Sequence, residues 1–96
     1  MTDERLLLVF FWHERSGPAR RMDILIAHIA RKERQRLRVT RVDMEQRADL
    51  ARRYGVETAP ALVLVRNRHV VARMEGRASA PRIEEMLEPF LATVVA

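Results

Sequence analysis

The 96-residue chain contains no cysteine. That excludes a disulfide, a thiolate nucleophile, a zinc–thiolate site and a cysteine-held iron–sulfur cluster. It also removes the usual clue to redox compartment. Aromatic side chains make up only 5% of the chain, and no helix-turn-helix pattern is present, so neither a base-stacking platform nor a groove-reading helix is in view. No apolar stretch approaches the ~18 residues that span a bilayer. Met1-Thr2-Asp3-Glu4-Arg5 is polar, unlike the basic-then-apolar start of a signal peptide. These absences predict a cytoplasmic protein with no membrane partner. Lysine is nearly missing: Lys32 is the single lysine among 18 basic residues.

The composition is 48% hydrophobic and 32% charged, which is globular rather than disordered, and its length fits one domain over residues 1–96. The net charge of +5 comes from arginines spread along the chain and interleaved with acids. That pattern reads as a solvated surface, and no nucleic-acid partner is expected.

Leu6–Trp12 is an apolar run without alternation, as in a strand buried on both faces. Ser16 is a helix N-cap and Pro18 fits the first turn, where its missing N–H costs little. The helix then runs to about Arg34, with Met22, Leu25, Ile26 and Ile29 on its core face. Leu37–Asp43 alternates as a strand with one covered face. Glu45–Tyr54 reads as a short helix stopped by Gly55. Ala61–Val65 and His69–Arg73 flank the two-residue turn Asn67-Arg68 and predict a hairpin. Gly76 ends it. The last helix opens at Ser79 or Ala80, with Pro81 in its first turn, and turns Ile83, Met86, Leu87, Phe90 and Leu91 inward. Pro89 should kink that helix or end its regular part. The order β-α-β-α-β-β-α makes an α/β fold: a mixed four-stranded sheet with helices on both faces.

Phe11-Trp12 at a strand end, then Ser16-Gly17-Pro18-Ala19 opening a helix, closely resemble the active-site turn of the thioredoxin family, where a Cys-Gly-Pro-Cys sequence occupies the turn. Glu14, Arg20, the stretch Val42-Asp43-Met44-Glu45, Tyr54-Gly55-Val56, Ala59-Pro60-Ala61 and Gly76 extend the likeness in order across residues 6–95. The resemblance implies a thioredoxin fold lacking the family's leading strand and helix. It implies a cis bond before Pro60, facing the turn. It also implies a peptide groove formed by Trp12, Arg15, Ser16, Gly17, Pro18, Thr58, Ala59, Pro60 and Gly76. The departures are as specific. Ser16 and Ala19 stand at the two cysteine positions, Arg15 replaces a tryptophan, Phe10 a buried aspartate and Ile24 a helix-kinking proline. Without the leading strand, Leu37–Asp43 becomes a bare sheet edge.

No catalytic residue is expected in this sequence. A serine hydroxyl is not ionised near neutrality and Ala19 can resolve nothing. Ser16 with His13 as base would need a third partner and a nucleophile elbow, and neither is present. His13, His28 and His69 lack metal-ligand spacing, so neither metal nor cofactor is expected. Trp12 reads as a core residue. Two readings follow. One is a thiol–disulfide oxidoreductase lineage silenced in this chain, as a deliberate exchange of both cysteines would also leave it. The other is a natural non-catalytic module that binds a protein or peptide near Pro60. Arg38 and Arg41 on the bare edge would oppose their own copies in a dimer, so a monomer is expected.

Overall fold

The computed structural model describes residues 4–94. The polar start Met1-Thr2-Asp3 and the final two residues, which the sequence reading drew into its domain and its span of resemblance, lie outside them. Four strands, β1 (Leu6–Trp12), β2 (Leu37–Asp43), β3 (Ala61–Arg66) and β4 (His69–Glu75), form one sheet in the order β2-β1-β3-β4. β1 runs parallel to β2 and antiparallel to β3, and β3 pairs antiparallel with β4. Three helices complete the fold: α1 (Gly17–Lys32), α2 (Ala48–Arg53) and α3 (Ala80–Leu91).

The unalternating run in β1 is explained by two cores. Leu6, Leu8 and Phe10 join Leu62 and Leu64 beneath α1 and α3, which contribute Met22, Ile26, Ile29, Ile83 and Leu87. Val9 and Phe11 turn the other way and meet Val42, Ala61, Val63 and Ala51 of α2. Helices therefore cover both faces, but unequally: two long ones on the first face, six residues of α2 on the second. β2 is the edge strand foreseen at Leu37–Asp43, although it does not bury one face. Its register sets Leu37 beside Leu6 on the first face and Val42 beside Phe11 on the second, so each core takes one of its residues.

Local chemistry moved several boundaries. α2 starts at Ala48, not Glu45, because Asp43 Oδ1 accepts the Glu45 N–H at 2.8 Å and holds residues 44–47 in turns. α1 ends at Lys32, and the Glu33 N–H closes on the Ile29 carbonyl. β4 runs on to Glu75. α3 continues helical through Pro89 to Leu91; Pro89 is exposed, and the Ala92 N–H still reaches the Glu88 carbonyl past it. In the hairpin, both Asn67 (φ 51°) and Arg68 (φ 70°) are left-handed, as a type I′ turn demands. Trp12 is half-buried against the first core rather than enclosed in it.

Phe10 is fully buried among both core-facing helices, whereas Ile24 is 72% exposed on α1. Phe10→Ala should cost about 3–5 kcal/mol of unfolding free energy, the usual loss for an emptied core aromatic. Ile24→Ala should stay within about 0.5 kcal/mol. Urea denaturation of both variants checks the assignment of Phe10, not Ile24, to the core.

Candidate functional site

The sheet register gathers one end of the four strands. Phe11 is paired with Ala61 and Ala61 with Glu75. Continuing each antiparallel pairing by one residue sets Trp12 beside Pro60 and Pro60 beside Gly76. The Gly76 N–H donates to the Pro60 carbonyl at 2.8 Å, which fixes the second of these. On the other side Trp12 is paired with Asp43, and the Met44 N–H reaches the Trp12 carbonyl at 3.0 Å. Asp43, Trp12, Pro60 and Gly76 therefore form one row across the end of the sheet. The Ala59–Pro60 bond is cis, Pro60 is buried, Ala59 is half-buried and Thr58 is exposed. Gly76 lies at φ 85°, in the region that favours glycine, and a Cβ there would meet nothing within 4 Å. Its conformation, not its surroundings, asks for glycine.

The turn after Trp12 leads straight into α1. The Ser16 N–H donates to the His13 carbonyl at 2.9 Å, and Ser16 has extended backbone angles. Its Oγ accepts the Ala19 N–H at 3.1 Å, an N-cap bond to one of the helix's otherwise unpaired first donors. Ser16 is thus engaged as a cap, and Ala19 is buried in the first core. Pro18 lies in the first turn and, with Arg21, Arg77, Ala78 and Ser79, lines an open cleft of about 300 Å³ between α1 and the segment after Gly76. Gly17 and Arg15 are exposed on the rim.

From sequence, His13 has no role as metal ligand or base; the structure gives it a defined post. Its Nδ1 accepts the Arg15 N–H at 2.9 Å, and its Nε2 lies 2.8 Å from Glu45 Oε1. With Nδ1 occupied as an acceptor, the neutral ring carries its proton on Nε2 and donates it to Glu45. The pair ties the turn to the segment ahead of α2. The only sequence signal was negative: a histidine and an acid separated by 32 positions share no local pattern.

Chemically the site is sparse. Among the described residues no polar or charged side chain is buried, and Phe10 closes the core behind the turn where a carboxylate would have to sit. Among the described residues no three His, Asp or Glu side chains gather round a point where they could hold one ion. The Asp49 carboxyl on α2 lies below the usual range because the Arg47 guanidinium hydrogen-bonds to it, and that pair is fully exposed. What the site offers is backbone: the groups at Thr58 and Ala59, the α1 N-terminus and the Gly76 strand end.

The family model described as Thioredoxin matches residues 1–89. A thioredoxin of Buchnera aphidicola is 25% identical over 91 residues, covering 95% of this chain and 84% of its own length. A thioredoxin-like protein of Synechocystis is 32% identical over 85 residues, covering 88% of this chain and 78% of its own. The crystal structure of Deadhead, a germline-specific thioredoxin of Drosophila melanogaster, superposes with a TM-score of 0.85 at 25% identity, covering 91% of this chain and 82% of that one.

If Ser16 acts as a cap, Ser16→Ala should lose about 1 kcal/mol of stability, and Ser16→Asp, which can accept the same bond and suits the helix dipole, should keep it within a few tenths. Thermal and urea unfolding of the two variants measure this. Equal losses in both would assign the hydroxyl a different task.

Proposed function

From the premise that this chain belongs to the thioredoxin family, we propose that it is a redox-silent member, acting as a single domain that binds an extended peptide or protein segment beside Pro60. The absence of any cysteine carries the first half: the chain has neither an attacking nor a resolving thiol. The row of Trp12, Pro60 and Gly76 supports the second, because it holds Pro60, and with it the preceding Thr58–Ala59 backbone, at the end of the sheet where β1 runs out into the turn before α1. A peptide added antiparallel along Thr58-Ala59 would gain main-chain hydrogen bonds without chemistry. Arg15 on the rim gives an acidic peptide a preference of about 1 kcal/mol or less. Phe10 and Arg15 also differ from the family's pattern, which supports long-standing departure from thiol chemistry over a simple exchange of two cysteines. The reading includes a cytoplasmic monomer.

With dithiothreitol as electron source, the protein should not accelerate insulin reduction above the uncatalysed rate. Ser16→Cys combined with Ala19→Cys should restore measurable turnover below that of an ordinary thioredoxin, since buried Phe10 relays no proton. Turnover by the unaltered chain would defeat the first half of the reading. Ordinary activity in the doubly substituted protein would show that Phe10 and Arg15 cost nothing.

Binding is a separate matter. A library of extended peptides should shift the backbone amide resonances of Thr58, Ala59 and Gly76. Shifts confined to other surfaces would place the binding elsewhere.

A further inference from the structure

α1 and α3 share the first face of the sheet, and a cleft opens at each end of the pair. The two clefts treat charge differently. At the end away from Pro60, opposite charges meet: Lys32 Nζ lies 3.6 Å from Glu84 Oε2, and Arg36 Nη2 lies 2.5 Å from Glu33 Oε1. At the end nearer Pro60 they do not. The cleft of about 300 Å³ there has Arg21 on its α1 wall and Arg77 on the wall formed by the segment after Gly76. Among the described residues no Asp or Glu lines it, and neither Arg21 nor Arg77 has an ion-pair partner. The first turns of α1 and α3 contain no acidic residue either.

Both guanidinium groups belong to the site end of the molecule. Long side chains on a helix lean toward its N-terminus. Arg21 does so: a Cβ placed on Gly17 would lie 3.8 Å from its Nη1. Its charge therefore stands at the first turn of α1, beside the loop that carries Arg15 and Ser16. Arg77 follows Gly76 directly, and the Gly76 N–H is bonded to the Pro60 carbonyl. The cleft thus adjoins the row at Pro60. Its floor is apolar, with Met22 buried and Pro18, Leu25 and Ala78 half-buried. Ligand pockets run from about 300 to 1,000 Å³, so this one holds a single side chain rather than a folded element.

We propose that this cleft selects the partner: an extended acidic segment whose one large apolar side chain fills the cleft, with a carboxylate two residues to either side. Residues two apart share a face in an extended chain, so the carboxylates lie on the same side as the apolar group and meet Arg21 and Arg77. The proposal rests on the reading that a peptide binds beside Pro60, and it names that peptide's chemistry. An apolar floor between two cations favours a polypeptide over a nucleic acid, which has no aliphatic side chain to place there. Among the described residues no aromatic ring lines the cleft to stack a base.

The probes are three fluorescein-labelled peptides. One carries Glu-Ala-Leu-Ala-Glu between neutral flanks, the second has Gln for both Glu, and the third has Ser for Leu. The first should bind about fivefold or more tighter than the second, since each exposed ion pair contributes a few-fold at most. That advantage should fall below about twofold at ~0.5 M salt. The Ser peptide should bind about tenfold more weakly than the first, for want of a buried apolar group. Binding should shift the Met22 methyl resonance together with the Thr58 and Ala59 amides. Arg21 and Arg77 are exposed, so Arg21→Gln combined with Arg77→Gln should leave circular dichroism unaltered. The double variant should bind the Glu peptide about fivefold more weakly and the Gln peptide as before. Equal affinity for the Glu and Gln peptides, with Thr58 and Ala59 still shifted, would overturn this proposal and keep the reading beneath it. No binding by any peptide would overturn both. Unchanged affinity of the double variant would transfer the preference to Arg15 and overturn the role of the cleft. Equal binding of the Leu and Ser peptides would do the same, leaving attraction by charge alone.

Discussion

Everything in this fold depends on β1 being dry on both sides. Its alternate residues are the inner wall of two different cores, Leu6, Leu8 and Phe10 on one and Val9 and Phe11 on the other. A slip of one residue would interchange the two sets and push Phe10 under a six-residue helix that cannot cover it. The register is thereby fixed against both neighbours, and the site inherits its precision from it. Trp12 and Pro60 align because β1 and β3 are pinned by side chains buried in the two cores, and Gly76 is tied to Pro60 by its N–H to the Pro60 carbonyl.

The turn at the end of β1 is built without a thiol. The helix N-terminus that would stabilise a thiolate remains, but its Ala19 N–H now goes to a neutral hydroxyl three residues earlier. Ala19, one turn into α1, is buried in the first core as a methyl group. Phe10 fills the space behind the turn with a packed ring. Gly17 and Pro18 still serve the helix start itself, which explains why they can persist where the chemistry does not.

Much of this was legible in the sequence because it rests on short-range rules. Buried strands show as apolar runs, caps as Ser before Pro, and the hairpin as Asn67 between two strand patterns. The order of those signals carried the fold, whereas the bare edge and the cis bond before Pro60 were implied by the resemblance to the thioredoxin family. Other features escaped because they are decided across space. The start of α2 was lost to the Asp43 carboxylate, which captures a backbone donor a helix would have needed. Alternation in β2 promised one covered face, yet the parallel register splits Leu37 and Val42 between two cores. Pro89 was expected to kink the last helix or end its regular part; the helix continues two residues past it to Leu91, with Pro89 exposed. His13 and Glu45 meet only after β1 and β2 have paired, so no local pattern announces them.

The centrality of β1 also bears on how the chain is made. Of the four strands it leaves the ribosome first, yet it sits between two others, pairing Leu7 with Arg38 and with Val65. Until β3 has been synthesised, a seven-residue apolar segment has one partner at most and two unpacked faces. Such a segment is what chaperones bind and what nascent chains aggregate through. Charged residues stand at either end of it, Glu4 and Arg5 before and Glu14 and Arg15 after, in the flanking positions where charge opposes aggregation of an unavoidable hydrophobic strand.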